Sequence, residues 1–413
     1  MSAGPAPLDP ARYVIAGVEP LSVWRPATRE ETAEVLHGAA RDGLGVVPWG
    51  GGVSLARERA PERYDVALDL SALDRVVEYR PEDMTVTAEC GVTLGTLREA
   101  LAVHGQELPL EGARAALATF GGLLAANASG PRRLRFGAPR DRILGAHFAL
   151  ADGTLACSGG RVVKNVAGYA LHRLLCGSRG GLAVLLEASL KLAPAPARRV
   201  ALVFGMGART LGDAARWEKL PRLEPALLTV VGQALAAALP VASPTDPFAV
   251  IVGLEDDEAR VDQQVAAVER LLGEPDARLE GDSVAALWQA LADLEDRDRA
   301  RLTFTNAANT PAAIAPLLER PEIAAASLFH AAAGRLHVFP AHSAARNLIE
   351  PLAAAGFSLI EAVAGDGDLA GVAVLEPLIA PQAAVLDLRA RIGAALDPAR
   401  VMAFGPRWQR SND

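Results

Sequence analysis

The sequence predicts an α+β protein of at least two domains, and three observations carry that expectation. Apolar runs with strand character alternate with amphipathic stretches of helical spacing along much of the chain. A strand at Val46-Val47 runs straight into three contiguous glycines, Gly50, Gly51 and Gly52, followed by Val53, Ser54 and Leu55. Pro194 and Pro196 close a largely apolar run, and the pattern changes beyond them, so a first boundary falls near residue 196. A chain of 413 residues has ample surface to bury in each of two cores.

The elements follow in order. Thr28 to Asp42 has helical spacing, with Thr28 as N-cap, Glu31 placed for a capping box and Gly43 as the stop. Val46-Val47 delivers the glycine loop, and Tyr64 to Leu70 alternates like a strand. Met84 to Cys90 reads as another strand, and Thr93 caps a helix from Leu94 to His104 that Gly105 closes. Thr119 to Gly130 is a helix-like run made mostly of Gly and Ala, which costs propensity but permits close backbone approach. Asp152-Gly153 marks a hairpin between strands. A helix over Asn165 to Leu175, a glycine loop at Gly177 to Gly181 and a strand over Leu182 to Leu192 complete the first domain.

The second region begins with strand character at Leu227 to Val231. It continues with a strand at Phe248 to Leu254 and an amphipathic helix at Glu258 to Leu272, with Val261, Val265, Val268 and Leu272 on one side. A helix at Val284 to Leu294 and strands at Arg301 to Thr305 and Arg335 to Phe339 suggest an α+β cap over residues 197–382. Ala383 to Ala395 forms a last helix before the tail to Asp413.

Composition excludes several partners. A formal charge of −8 argues against nucleic acid, which wants a basic face. The three cysteines, Cys90, Cys157 and Cys176, lie far apart. They suit a reducing compartment and are too few for a self-contained iron–sulfur cluster, which takes about four thiolates. The N-terminal ten residues lack the basic-then-apolar order of a signal peptide. The uncharged window from Pro225 to Pro244 is broken by Gln233 and Pro240, so a strand and short helix suit it better than a membrane span.

Contiguous glycines let successive N–H groups turn toward one point without a Cβ in the way, which makes an anion nest suited to a pyrophosphate. A Rossmann fingerprint needs Gly-x-Gly-x-x-Gly opening a helix. No helical pattern follows here, so that fold is excluded.

With these segments in order, the chain resembles the flavoproteins of the vanillyl-alcohol oxidase and p-cresol methylhydroxylase (PCMH) superfamily, and within it the FAD-binding subunits of glycolate oxidase. The likeness rests on Trp49 to Ser54, Gly121 to Ala125, Ser129 to Arg133, Gly137 to Gly145, Gly160 to Tyr169, Arg173 to Leu175 with Gly177-Ser178, and Glu187 to Leu192. It is dense from about Thr28 to Pro194 and thin afterwards. The resemblance implies a PCMH-type FAD-binding domain of two α/β subdomains over residues 1–196, to which the C-terminal helix and tail, 383–413, return.

It also implies that Gly50, Gly51, Gly52, Val53, Ser54 and Leu55 hold the FAD pyrophosphate through main-chain amides. Phe120, Gly121, Gly122, Ala125 and Ala126 would line the channel beside the flavin, with Ser129 and Gly130 nearby. Val184 and Leu185 would set main-chain groups against the adenine or flavin edge. Some relatives attach FAD through a histidine in the glycine loop; Trp49 to Leu55 holds none, so attachment should be non-covalent.

The departures bear on substrate chemistry. Relatives that oxidise 2-hydroxy acids carry His-x-Gly-Asp-Gly-Asn-Leu-His, whose histidines bind a metal. This chain has Val363-Ala364-Gly365-Asp366-Gly367-Asp368-Leu369-Ala370, with Val363 and Ala370 where imidazoles would stand, so no metal site is expected there. Ala170 replaces an aspartate common after Gly-Tyr, and Ala403-Phe404-Gly405 replaces a C-terminal Asn-Pro-Gly. Oxidising a 2-hydroxy acid also needs a base and a cation for the carboxylate. His172, three residues beyond Tyr169, is the candidate base; Arg132 and Arg133 are the candidate substrate cations. Arg335 and His337, on one face of a strand, offer a further pair. Each has a plainer role as a surface, cap or phosphate-contacting residue, and Lys164-Asn165 suits a backbone or flavin-carbonyl contact.

Three functions stay open. The first is the FAD-binding subunit of a glycolate oxidase-type complex that oxidises glycolate or D-lactate. Its partners would be a sister FAD-binding subunit and an iron–sulfur subunit, in the cytoplasm and peripheral to the inner membrane only through those partners. The second is a stand-alone FAD-dependent 2-hydroxy-acid dehydrogenase. The third is a structural subunit with a vestigial flavin site.

Overall fold

The computed structural model describes residues 8–402 except 56–60, 62, 162–167, 242–244, 296–300, 306–309, 318–319, 321–325, 332, 340–347, 349–351, 355–356 and 364–382. The chain divides into two compact units. The first comprises Met1–Ser129, Ala138–Ala195 and Pro381–Asp413; the second comprises Gly130–Gly137 and Pro196–Ala380. The eight residues from Gly130 to Gly137 therefore leave the first unit, a crossing that the sequence did not announce.

In chain order the first unit holds β1 (Ser22–Trp24), α1 (Arg29–Asp42), β2 (Val46–Trp49), β3 (Val66–Asp69), β4 (Val76–Arg80), β5 (Thr85–Glu89), α2 (Leu94–Ala102), β6 (Gln106–Glu107) and α3 (Phe120–Ala126). The short α4 (Arg133–Phe136) belongs to the second unit. Then α5 (Pro139–Arg142), β7 (Ile143–Ala149), β8 (Leu155–Gly159), α6 (Leu171–Leu175), β9 (Val184–Lys191) and β10 (Ala193–Pro194) complete the first.

A parallel sheet of order β1-β3-β2 and an antiparallel sheet of order β4-β5-β9-β7-β8 form two α/β layers of this unit. Helix α1 begins as its sequence dictates: the Thr28 hydroxyl accepts from the Glu31 amide at 3.0 Å, and Glu31 accepts from the Ala27 amide at 2.7 Å. It ends on Gly43 at φ 66°, a conformation glycine adopts without a Cβ penalty. Leu36 and Ala39 of α1 pack with Val46, Val66, Leu68 and Val184. A second cluster joins Leu97 and Leu101 of α2, Phe120, Leu123 and Leu124 of α3, and Leu185, Ala188 and Leu190 of β9. Val184 and Leu185 thus open β9 on two different cores. Each buried Val, Leu or Phe among these contributes about 1.5–3 kcal/mol.

The second unit is built on one eight-stranded sheet. Its elements are β11 (Arg198–Met206), α7 (Ala208–Leu211), α8 (Ala214–Trp217), β12 (Leu227–Gly232), α9 (Gln233–Ala236), β13 (Phe248–Asp256), α10 (Glu258–Leu272), β14 (Ala277–Glu280), α11 (Asp282–Leu294), β15 (Arg301–Thr305), β16 (Ser327–His330), β17 (Arg335–Val338) and β18 (Ser358–Val363). The order is β14-β11-β13-β12-β16-β17-β15-β18, with all pairs antiparallel. Val261, Val265, Val268 and Leu272 of α10 pack on the face that carries Val200, Leu202 and Phe204. Val284, Leu287, Trp288 and Leu291 of α11 cover the opposite face at Ala201 and Val203. With both faces covered, β11 and β13 read as continuous apolar runs.

The window from Pro225 to Pro244 supplies β12 and α9, and no described helix is long and apolar enough to cross a membrane. Finally α12 (Ala383–Leu396) returns to the first unit, where Ile392 and Leu396 pack on the α2–α3 core. Beyond it, the Asp397 carboxylate accepts from the amides of Val401 and Met402 at 2.8 Å each, and Val46 donates to the Val401 carbonyl at 2.7 Å.

Candidate functional site

In the first unit the glycine loop leaves β2 at a point fixed by a buried carboxylate. Trp49 pairs with Asp69 across the parallel sheet, and the Leu70 amide donates to the Trp49 carbonyl at 2.9 Å. Asp69 is 2% exposed. Its Oδ2 accepts from the Tyr13 hydroxyl at 2.6 Å and from Arg25 Nε at 2.7 Å, and its Oδ1 accepts from the Ser71 amide at 2.9 Å. Burial alone would raise the Asp69 carboxyl, but these donors outweigh it and hold the group below its ordinary value. The Tyr13 ring meets Trp49 edge-on, with centroids 5.1 Å apart.

Beyond Trp49, Gly52 takes φ 72°. None of the amides of Gly50 to Ser54 donates a hydrogen bond to another described residue. Buried or half-buried main-chain donors are nearly always paired in proteins, so the half-buried amides of Gly50 to Val53, which bond no described residue, are candidates for an anion nest. No side chain intervenes at Gly50, Gly51 or Gly52. A β-carbon on Gly50 would overlap the Thr119 hydroxyl, and one on Gly51 would overlap the Leu117 carbonyl. The glycines are thus required by the neighbouring turn as well as by the nest.

That turn leads into α3. The Thr119 hydroxyl caps the helix by accepting from Gly122 at 3.2 Å, while Phe120 and Gly121 donate to the Val92 and Cys90 carbonyls at 2.7 Å each. Phe120 is fully buried in the core, and a β-carbon on Gly121 would press on Cys90. Those two positions therefore seat the helix on the sheet, whereas Gly122, Ala125 and Ala126 are half-buried. A third loop joins them: the Arg179 amide donates to the Ala125 carbonyl at 3.0 Å, and a β-carbon on Gly180, at φ 79°, would press on Pro48. Loops 50–54, 117–122 and 177–181 therefore converge, as a dinucleotide cradle requires. Ser129 is buried, and Gly130, at φ 64°, starts the crossing into the second unit. Val184 and Leu185 pair with Ala149 and Phe148 of β7.

His172 is 7% exposed, and its Nδ1 lies 3.0 Å from the Ser158 hydroxyl, which donates to the Tyr169 carbonyl at 2.9 Å. Because that proton is spent, Nδ1–H donates to Ser158 and Nε2 keeps its lone pair. Burial, and then the Arg173 charge, lower the His172 pKa, so the ring is neutral at neutral pH. Ala170 opens α6 with no side-chain cap. Lys164 and Asn165, Gly365 to Asp368, and Ala403 to Gly405 lie outside the described residues.

In the second unit, Arg132 is 5% exposed and its Nη1 meets both Glu255 oxygens at 3.2 and 3.3 Å. Arg199 adds a third bond to Glu255 at 3.4 Å. The Arg132 charge is therefore spent on a buried carboxylate rather than offered to a substrate. Arg133 opens α4 and is likewise engaged.

The same unit gathers a set of which the sequence reading named only His337. Ligand atoms of Glu295, His330 and His337 all lie within 4.8 Å of one another. His330 Nε2 is 3.1 Å from Glu295 Oε1, and His337 Nε2 is 3.9 Å from Oε2. Each ring is oriented from behind by a threonine: Thr229 at 3.0 Å from His330 Nδ1, and Thr303 at 3.1 Å from His337 Nδ1. That is how metal-ligating imidazoles are held. His337 is 1% exposed, and its Nε2 has no hydrogen-bond partner among the described residues.

Burial lowers the His337 pKa well below its ordinary value against the opposing pull of Glu295, so its Nε2 lone pair is available. Glu295 is pushed up by burial, but the His330 hydrogen bond and the nearby His337, His330 and Arg335 groups outweigh this and keep it ionised. The signal was legible. His330-Ala331-Ala332-Ala333-Gly334-Arg335-Leu336-His337 keeps both histidines, the second glycine and the leucine of His-x-Gly-Asp-Gly-Asn-Leu-His at the same spacing. The expectation of no metal site rested on residues 363–370, and the imidazoles of His330 and His337 lie outside that stretch.

Comparison with known proteins points to the same class of cofactor. Residues 20–158 match the family described as FAD binding domain. Over 77% of this chain and 72% of the relative, the sequence is 26% identical to glycolate oxidase subunit GlcD of Bacillus subtilis. It is 38% identical to glycolate oxidase subunit GlcE of Escherichia coli over 37% of this chain and 45% of that one. The fold is shared with p-cresol methylhydroxylase with substrate bound, at a TM-score of 0.72 and 16% identity, over 94% of this chain and 88% of that one.

Proposed function

We propose that this chain, whose residues 20–158 belong to the FAD binding domain family, is an FAD-dependent oxidoreductase subunit that acts on a 2-hydroxy acid. The observation that carries this is the run of amides from Gly50 to Ser54, none of which donates to another described residue. These would hold the FAD pyrophosphate, and with no histidine in Trp49 to Leu55 the attachment is non-covalent. When bound, FAD supplies the two-electron acceptor for the substrate carbon. The chain supplies position and electrostatics: Asp69 and Tyr13 fix the loop's departure from β2, and α3 with loop 177–181 walls the cradle.

Glu295, His330 and His337 would hold a divalent transition metal, a donor set of two imidazoles and one carboxylate that suits zinc or iron. This cluster favours a chain with substrate chemistry of its own over a purely structural subunit. The similarity to two glycolate oxidase subunits supports glycolate or a close homologue as substrate. It also supports work within a multi-subunit complex; a sister flavoprotein and an iron–sulfur subunit, in the cytoplasm with any membrane contact made by partners, are the partners and place this reading assigns.

Purification of the chain alone tests this. The expected protein is yellow, releases its FAD on denaturation, and bleaches anaerobically with glycolate or D-lactate. Bleaching only after partner subunits are added would assign the activity to the complex. A colourless protein that takes up no added FAD would overturn the proposal.

A further inference from the structure

We propose that Arg335 is the anion-selecting residue of the Glu295–His330–His337 site, gripping the carboxylate of a small 2-hydroxy acid whose hydroxyl lies against the imidazoles. This deepens the proposed function and rests on it. Arg335 and His337 alternate on β17 and so share a face, and Arg335 stands directly opposite His330 on β16 and Thr305 on β15. Directly opposed residues hold their Cβ atoms about 4.5–5.5 Å apart. That spacing suits a ligand that presents a carboxylate and a hydroxyl on adjacent carbons.

Arg335 is half-buried, and among the described residues its charge acts on Glu295 without a direct hydrogen bond or ion pair. A half-buried guanidinium at this edge of the cluster can present its fork to the carboxylate of a ligand. Its neighbour Arg301 differs, since its Nη1 donates to the Glu295 main-chain carbonyl. Arg335 also stands near enough to the cluster for its charge to act on Glu295 and His337. Glu295 thus faces two guanidinium groups and two imidazoles, and a divalent ion would leave the face more positive still. Such a face attracts anions and rejects neutral alcohols. The relatives' motif has asparagine where Arg335 stands, so the cation belongs to this chain's version of the site. A guanidinium fork also matches a carboxylate bidentately, as an amide cannot.

The test is calorimetric titration of the full chain with oxalate, a rigid probe with oxygens on adjacent carbons, before and after zinc loading. Arg335→Gln should weaken oxalate about 10- to 100-fold with zinc and FAD content unchanged, while Arg335→Lys recovers part of the loss. In wild-type protein, oxalate should also slow modification of Arg335 by phenylglyoxal, followed by mass spectrometry, which needs no variant to fold. Equal oxalate affinity in wild type and Arg335→Gln, or no protection of Arg335, overturns the proposal. Arg335-dependent oxalate binding without zinc uptake would leave it standing and remove the metal alone.

Discussion

A β-carbon on Gly51 would fall on the carbonyl oxygen of Leu117, so the glycine loop and the turn before α3 fit only while position 51 is bare. The obstacle is main chain, which cannot rotate aside as a side chain could. Gly51→Val should therefore displace loop 50–54 and raise the FAD dissociation constant by about 100-fold or more. Flavin absorbance per protein after gel filtration checks this; full occupancy would mean that the loop does not hold the cofactor.

The Asp69 carboxylate gathers Tyr13, Arg25 and Ser71 beneath the start of the same loop. Asp69→Asn should cost about 2 kcal/mol, because charge-assisted bonds are replaced by neutral ones. The pH dependence has a fixed sign. The folded carboxyl sits below its unfolded value of about 3.9, so its contribution is complete above that value and is lost as pH falls toward the folded pKa. Urea midpoints from pH 7 downward should drop more steeply below about pH 4 in wild type than in Asp69→Asn.

For the imidazole pair, His337→Ala should abolish tight zinc uptake while leaving flavin content intact. Thr303→Val removes only the group behind the ring and should weaken zinc about 10- to 100-fold. Metal analysis after dialysis against graded chelator separates the two. Unchanged zinc in His337→Ala would place the metal elsewhere.

Arg132 and Glu255 form a pair with almost no access to water. Removing one charge strands the other, so Arg132→Ala should destabilise the protein by about 3 kcal/mol, less whatever Arg199 compensates. Arg132→Met with Glu255→Leu should recover most of that loss. If Arg132 served the substrate instead, the double variant would stay stable while its KM rose sharply, and an unchanged KM is expected.

Much of the first unit was legible because its signals are local. Thr28, Glu31 and Gly43 bound α1 within sixteen residues, and the glycine run names its own backbone geometry. The Gly-Ala stretch was harder. Its helix stops at Ala126 because Asn127 turns left-handed, and its first glycine serves packing against Cys90. Strands such as β11 lack alternation because α10 and α11 cover both faces. Tyr13 and Asp69 are 56 residues apart, and nothing near either one announces the other. The imidazole pair had a readable spacing at 330–337, but Gly365-Asp366-Gly367-Asp368 resembled the motif's acidic centre more closely and drew attention away. Glu295 could not be read at all, since it arrives from the turn after α11, in a different part of the chain.

The chain's passage into the second unit at Gly130 and back at Gly137 constrains anyone who would rearrange this protein. A fragment cut at residue 195 would keep an arginine whose counter-charge had been discarded, and the discarded piece would carry an acid with nothing from that segment to neutralise it. Exchange of one cap for another, in the laboratory or between genomes, must therefore transplant two separated stretches together. A single crossover at the obvious proline boundary would produce chimaeras that express poorly for electrostatic reasons alone.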